Sequence, residues 1–503
     1  MSTGPLERRA SGILLHPTAL PSAHGIGDLG AAARGFVDFL SAAGQTVWQV
    51  LPLGPTGGGA SPYQSPSSHA GNPMLIDLEA LAAEGWLARG ELTPFGALPR
   101  AQVDFARLEP LKARLLEKAA ATFLRAGGDH REEFERFRRQ SRSWLDAYAE
   151  FMALKDAHGG ASWTEWRSKQ PDPDRMRIHQ AIQFHFFRQW RELKDYARER
   201  GIRFIGDVPL YVAHDSVDVW RNRHLFDLEP TGRPRTVAGV PPDYYSATGQ
   251  LWGNPLYRWD VMSLDGYAWF VERLRWTLGV VDVVRIDHFR GLEAFYEIPG
   301  QAQDARQGRW VPGPGDRLLA AMRAALGSLP FIAEDLGVIT PEVLALRDRF
   351  GLAGMRVLQF AFGNADGDDP FKPHNYVPNA VAYTGTHDND TTVGWFGGGG
   401  AVDMSAEQAR AERDRALRYL HSDGHEIHWD FIRAIEASVA RTAVVPLQDV
   451  LGLGSEARFN RPASPTGNWN WRYQDRQLET AHTERLREMA VLYGRSAAGS
   501  TPA

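Results

Sequence analysis

Val280-Val281-Asp282-Val283-Val284-Arg285-Ile286-Asp287-His288-Phe289 is a short apolar run that ends on a carboxylate. Its length and β-branched content predict a strand buried on both faces. Successive strand side chains point to opposite faces, so Arg285 and Asp287 share one. A guanidinium at that spacing favours the ionised form of the acid. A charged acid at a strand end suits a nucleophile or a charge stabiliser. Taken alone, the stretch is equally consistent with a structural ion pair.

Seven further runs of the same kind recur along the chain. They are Gly12 to Leu15 before His16, Thr46 to Leu51 before Pro52, and Ile202 to Ile205 before Asp207. Phe331 to Ala333 precedes Glu334, and Met355 to Phe360 stands alone. Ala380 to Thr384 precedes His387 and Asp388, and Ala443 to Val445 precedes Gln448. Helical apolar spacing separates many of them, over Ala31 to Ala43, Tyr267 to Leu278, Asp316 to Leu326, Pro341 to Phe350 and His428 to Arg441. Strands alternating with helices imply a parallel sheet, and eight of them imply an α/β fold, a closed (β/α)8 TIM barrel. The chain is therefore expected to be one barrel over 1–503 with two large insertions. Residues 55–200 are predicted to be mainly helical, with helices over Pro110 to Arg125, Arg131 to His158 and Arg177 to Arg200. The Gly, Pro, Tyr and Trp-rich stretch 215–265 is predicted to form loops and a lid.

Composition narrows the function. The chain has 503 residues, a net charge of −5, and hydrophobic and charged fractions of 43% and 23%, those of a soluble globular protein. That charge provides no electrostatic case for nucleic acid or an anionic membrane. There is no cysteine, which excludes disulfides, thiolate metal sites and thiol nucleophiles. No apolar run is long enough for a membrane helix or signal peptide, so a cytoplasmic location is expected. No oligomeric state is specified by the sequence. The 16 Trp, 14 Tyr and 24 Phe include many rings in loops, as in Asp243-Tyr244-Tyr245-Ser246. Most such rings pack loops onto a core, but a ring exposed beside polar groups is also a platform for a sugar.

In a barrel, chemistry sits at the C-terminal strand ends. There the topology gathers Asp207, Arg285, Asp287, Glu334, His387 and Asp388. Two carboxylates flanking a bond are the minimal machinery of glycosidic cleavage. Asp287 beside Arg285 suits the nucleophile. Glu334, after the apolar Leu329 to Ala333, suits the acid, because burial and nearby carboxylates keep it protonated. Asp388 can hold sugar hydroxyls, with His387 as a hydrogen-bond donor. His387-Asp388-Asn389-Asp390 also offers metal-ligand types, but no helical histidine pair or dedicated loop pattern accompanies it. Asn364 to Asp369 lacks the spacing and closing glutamate of a calcium loop and reads as solvated. Hence neither metal nor cofactor is expected.

These residues stand in motifs similar to those of the amylomaltases, the 4-α-glucanotransferases or disproportionating enzymes of glycoside hydrolase family 77 in the α-amylase-like superfamily. Arg285-Ile286-Asp287-His288-Phe289-Arg290-Gly291 resembles the nucleophile motif, and Ala333-Glu334-Asp335-Leu336-Gly337 the acid/base motif. Thr386-His387-Asp388-Asn389-Asp390 resembles the third-carboxylate motif, and Gly206-Asp207-Val208-Pro209 the superfamily's substrate-side aspartate. Ser61-Pro62-Tyr63-Gln64 resembles the family's substrate loop. Pro241 to Pro255 resembles its flexible lid, and Asn468-Trp469-Asn470-Trp471-Arg472 also fits. The resemblance runs from about Gly12 to Arg472. It implies that Asp287, Glu334 and Asp388 are catalytic. It implies substrate contacts from Ser61, Tyr63, Asp207, Tyr244, Tyr245, Ser246, Gln250, Trp252, Arg285, His387 and Asn460. The implied reaction moves α-1,4-glucan segments from malto-oligosaccharides, amylose, starch or glycogen to the 4-hydroxyl of a glucan or glucose. The implied route is a retaining double displacement, with the Asp287 and Glu334 carboxyls roughly 5–5.5 Å apart. An α-glucan hydrolase and an inactive glucan-binding protein are the alternatives.

Transfer requires that water be kept from the intermediate while an acceptor is held in place. The Tyr244–Tyr245 segment is the candidate lid. Replacing both tyrosines by alanine is expected to raise the share of hydrolysis over transfer, read from the products of maltotriose; an unchanged ratio overturns the lid assignment.

Overall fold

Eight short parallel strands close into a barrel in the computed structural model, which describes residues 8–57, 60–127, 129–168, 170–242, 248–399, 405–462, 464 and 466–496. In chain order they are Ala10–Leu14, Val47–Gln49, Arg203–Pro209, Val283–Asp287, Phe331–Ala333, Ala353–Val357, Ala380–Tyr383 and Thr442–Pro446. Each pairs with the next, and the first closes on the last through Ala10 opposite Thr442. All eight runs read from the sequence are strands. The run from Met355 to Phe360 is divided, because the chain turns into a 3-10 helix at Leu358–Phe362.

Register decides which side chains meet. Asp207 on the third strand lies opposite Arg285 on the fourth, and Pro209 opposite Asp287. Ile286 lies opposite Ala333, so Asp287 and Glu334 leave neighbouring strands at the same level. Arg285, Asp207, Tyr383 and Gln49 form a polar layer at the top of the barrel interior, where the Tyr383 hydroxyl donates to Gln49 at 2.9 Å. Below and outside it the packing is apolar. Trp48 stands between Phe36 on helix Ala31–Ala42 and Phe204 on the third strand, with ring centroids 4.8 and 5.2 Å away.

Between the second and third barrel strands lie helices Phe105–Arg125, Asp129–Gln140, Arg142–Ala157 and Pro173–Glu199. The predicted single helix from Arg131 to His158 is two, broken at Ser141. Helix Pro173–Glu199 starts from an Asp172 cap with Pro173 in its first turn, as expected for a strong helix start. Its Trp190 packs on Phe204 and donates to the Val280 carbonyl, so this helix also serves as the barrel helix before the third strand.

The 215–265 stretch departs from the expectation of loops. It contributes strands Thr236–Val240 and Gln250–Pro255 to a four-stranded antiparallel sheet. Strands Ala294–Pro299 and Arg309–Pro312, from beyond the fourth barrel strand, complete that sheet. Its strands are short and carry Gly and Pro, so no clean alternation shows in sequence. Among the described residues, no helix is long and apolar enough to cross a membrane.

Close approach of the first two strands depends on Gly12. A Cβ there would lie 2.5 Å from both the Cβ and the carbonyl oxygen of Val47. Gly12→Ala is expected to destabilise the barrel by roughly 1–3 kcal/mol, the usual cost of overpacking a core. A lowered midpoint in thermal or urea unfolding checks this; an unchanged midpoint means that the strands can separate freely.

Candidate active site

Arg285 is the hub of the strand ends. Its Nη1 donates to both Asp207 oxygens at 2.8 and 2.7 Å, and lies 2.9 Å from Asp287 Oδ1. Its Nε points at Met355 Sδ on the sixth strand, at 3.4 Å. Burial disfavours the guanidinium charge, but Asp207 and Asp287 outweigh it and hold Arg285 well above its ordinary pKa. Burial pushes the Asp207 carboxyl up, and Arg285 pulls it back. The Asp207 side chain is fully buried, whereas that of Asp287 is 30% exposed. Of the two acids on the guanidinium, only Asp287 is open to a ligand.

Tyr63 extends the network across the barrel mouth. Its hydroxyl donates to Asp207 Oδ2 at 2.8 Å and lies 2.9 Å from His387 Nε2. Burial, with Asp207 next, holds the Tyr63 phenol well above its usual pKa, so it keeps its proton. That single proton is used on Asp207, so His387 Nε2 must be the donor to Tyr63 oxygen, which fixes the tautomer. The Tyr63 and His387 rings stack at 5.4 Å and 15°. Trp469 stands 5.9 and 6.1 Å from them, forming an aromatic wall. Behind His387, burial pushes His16 down to about 3.

Glu334 sits differently from Asp287. Its Oε2 accepts from the His288 backbone N–H at 2.8 Å and its Oε1 from that of Leu336 at 3.1 Å. Burial raises its pKa to about 8, with Asp287 and Asp335 adding to the rise and Arg285 and the His288 N–H opposing it. Asp335 is held off by Arg347 at 2.5 Å and by the Met355 N–H at 2.7 Å.

Asp388 is the most open of the three acids, with a 43% exposed side chain. Asn460 donates to its Oδ1 at 2.6 Å, and His387 Nε2 lies 3.3 Å from its Oδ2. Arg458 holds the carbonyls of both Asp388 and Asn460, at 2.8 Å each. The remaining side chains of this turn are occupied in shaping it: Asn389 accepts from Thr386, and Asp390 from Ser455. Among the described residues, no group of three His, Asp or Glu side chains is placed to hold a metal ion.

The structure thus brings together Tyr63, Asp207, Arg285, Asp287, His387, Asp388 and Asn460 in one hydrogen-bonded and ion-paired chain, with Glu334 one residue from Asp287 through His288. Trp252 reaches the same place from the antiparallel sheet, edge-on to the His288 ring at 4.8 Å. Gln250 accepts from Trp252 Nε1 at 3.0 Å and so orients that indole. Ser61 accepts from the Tyr63 N–H at 3.3 Å and shapes the turn beneath the tyrosine. Tyr244, Tyr245 and Ser246 lie outside the described residues. His288, Trp469 and Arg458 also belong to the site. No motif or spacing marks the contacts that bring them there, although His288 and Trp469 lie in segments that already resembled the family.

Residues 15–479 match the family described as 4-alpha-glucanotransferase, glycoside hydrolase family 77. The chain is 48% identical to a 4-alpha-glucanotransferase of Synechocystis, over 97% of this chain and 99% of that protein. It is 48% identical to one from Thermus thermophilus, over 96% and 98% of the two chains. A chloroplastic/amyloplastic 4-alpha-glucanotransferase of Arabidopsis thaliana is 42% identical, over 98% of this chain and 86% of that one. Among solved structures, an amylomaltase from Streptococcus agalactiae in complex with acarbose superposes with a TM-score of 0.92 at 37% identity, covering 97% of this chain and 100% of that one. Bacterial and plant relatives alike carry the transferase name, which disfavours the hydrolase and inactive-binder alternatives. On fold, site and sequence together, the chain belongs to the 4-alpha-glucanotransferases of glycoside hydrolase family 77.

Proposed function

We propose that Asp287, Glu334 and Asp388 carry the glucan transfer. Asp287 attacks the anomeric carbon of the donor while Glu334 gives its proton to the departing glycosidic oxygen. A covalent glycosyl–Asp287 ester forms and the shortened glucan leaves. Glu334, now a carboxylate, takes the proton of an incoming 4-hydroxyl, whose oxygen displaces Asp287 and restores an α-1,4 bond. Two inversions yield net retention. Asp388 and His387 hold ring hydroxyls, and Tyr63 and Trp469 provide the apolar face against which a glucose ring rests. Malto-oligosaccharides and starch-like glucans are the donors, and glucose or a glucan the acceptor. Acarbose, bound by the similar Streptococcus agalactiae amylomaltase, is expected to occupy this same cleft.

One observation carries the reading. Two carboxyls on adjacent strand ends, both partly exposed, live in different electrostatic environments: Asp287 is 2.9 Å from a guanidinium, while Glu334 has no such ion pair among the described residues and desolvation pushes it up to about 8. Pairs of acids separated in this way divide the nucleophile and acid roles.

With maltotriose, the protein is expected to yield glucose together with longer oligomers, and Asp287→Asn to lower that activity by about 10⁴-fold or more. Shorter sugars alone would indicate a hydrolase. The kcat/KM profile is expected to fall on the alkaline side near pH 8, where Glu334 loses its proton. The same ionisation bears on stability. The folded pKa of about 8 exceeds the ordinary 4.5, so between these values the native state holds a proton that the unfolded chain has lost. Stability therefore falls as pH rises through that window. Glu334→Gln removes the effect, and its Tm advantage over the unsubstituted protein is expected to widen from pH 5 to pH 8.

A further inference from the structure

His288 carries two unfavourable features at once. Its backbone sits at φ 55°, in the left-handed region that a non-glycine residue seldom adopts. Its Nε2 is buried without a hydrogen-bond partner among the described residues. Outliers of this kind persist only where the surroundings over-determine them, and they gather at functional sites. Here the surroundings are explicit. The ring is wedged edge-on against Trp252 at 4.8 Å and 90°, with Tyr211 6.2 Å away. Gly291 N–H donates to the His288 carbonyl at 2.9 Å and closes the turn. A Cβ at Gly291 would lie 2.5 Å from Leu210 Cδ2 and 3.0 Å from His288 Cδ2, so glycine leaves room for both side chains.

The product of this arrangement is one hydrogen bond. The His288 N–H lies in the Asp287–His288 peptide plane, and with the flanking Cα positions held by packing, ψ of Asp287 and φ of His288 can turn that plane only together; at φ 55° the N–H meets Glu334 Oε2, 2.8 Å away. We propose that His288 is a positioning residue for proton transfer: its wedged ring locks a left-handed turn directly after Asp287, and that turn holds the Glu334 carboxyl in place through the backbone amide. The proposal rests on the assignment of Glu334 as acid/base. The imidazole itself does not titrate near neutrality, because burial pushes it down to about 4. The charged groups facing Glu334 are Arg285 and Asp287 on the fourth strand and Asp335 beside it, with Arg347 and Arg356 against Asp335.

The amide favours the charged carboxylate, so losing it raises the pH at which Glu334 deprotonates. His288→Val places a β-branched residue where the left-handed region is most disfavoured. It is expected to move the alkaline limb of kcat/KM upward by roughly one pH unit and to lower kcat, with KM for maltotriose little changed. His288→Asn tolerates the left-handed region and is expected to keep the limb within roughly a few tenths of a unit of its original position. A thermal melt of each variant confirms that it is folded. A uniform loss of activity with the limb unmoved in His288→Val would falsify the proposal, as would an equal displacement in His288→Asn. If instead the unsubstituted protein's alkaline limb persists in the residual activity of Glu334→Gln, the acid/base assignment fails, independently of His288.

Discussion

A guanidinium shared by two carboxylates at the top of a barrel interior is the constraint on which the site depends. Arg285 and Asp207 are register partners on adjacent parallel strands, and Asp287 follows Arg285 on the same face. The charges of Arg285 and Asp207 are almost wholly removed from water, so each is tolerable only with the other present. Removing one partner of such a pair typically costs about 3–5 kcal/mol. From this pair the order spreads outward. Asp207 accepts a hydrogen bond from the Tyr63 hydroxyl, the Tyr63 oxygen accepts one from His387, and His387 stands beside Asp388. Groups from the second, third, fourth and seventh strand ends are held in one geometry by that sequence of donors and acceptors.

Glu334 is kept outside this network, and the separation has chemical content. It receives two backbone N–H groups but, among the described residues, no side-chain cation within ion-pairing distance. Burial therefore dominates and favours the protonated form. Asp287, one strand away, has the cation. The barrel separates two acids of similar intrinsic strength through their surroundings alone. The strained turn at His288 links them, since the residue after one carboxylate supplies the hydrogen bond to the other.

Much of this was legible in order. The eight apolar runs correspond to the eight strands, because burial on both faces writes a continuous signal into a short segment. Asp207, Arg285, Asp287, Glu334, His387 and Asp388 were legible because each ends or closely follows such a run. The antiparallel sheet was not. Its two halves, Thr236 to Pro255 and Ala294 to Pro312, flank the fourth barrel strand in sequence, and neither half carries a regular alternation. The break at Ser141 was hidden because the apolar spacing continues across it.

The sequence by itself determined the barrel, the positions of its acids and the family, because these depend on local patterning and on short motifs. The tertiary structure alone decided how the charges are shared. Nothing along the chain says that Arg285 binds Asp207 as well as Asp287, that Trp469 closes a wall with Tyr63 and His387, or that the His288 amide serves Glu334. Those contacts join residues tens to hundreds of positions apart. They exist because strand register and burial bring them together, and burial is also what raises the proton affinity of Glu334 on which the chemistry depends.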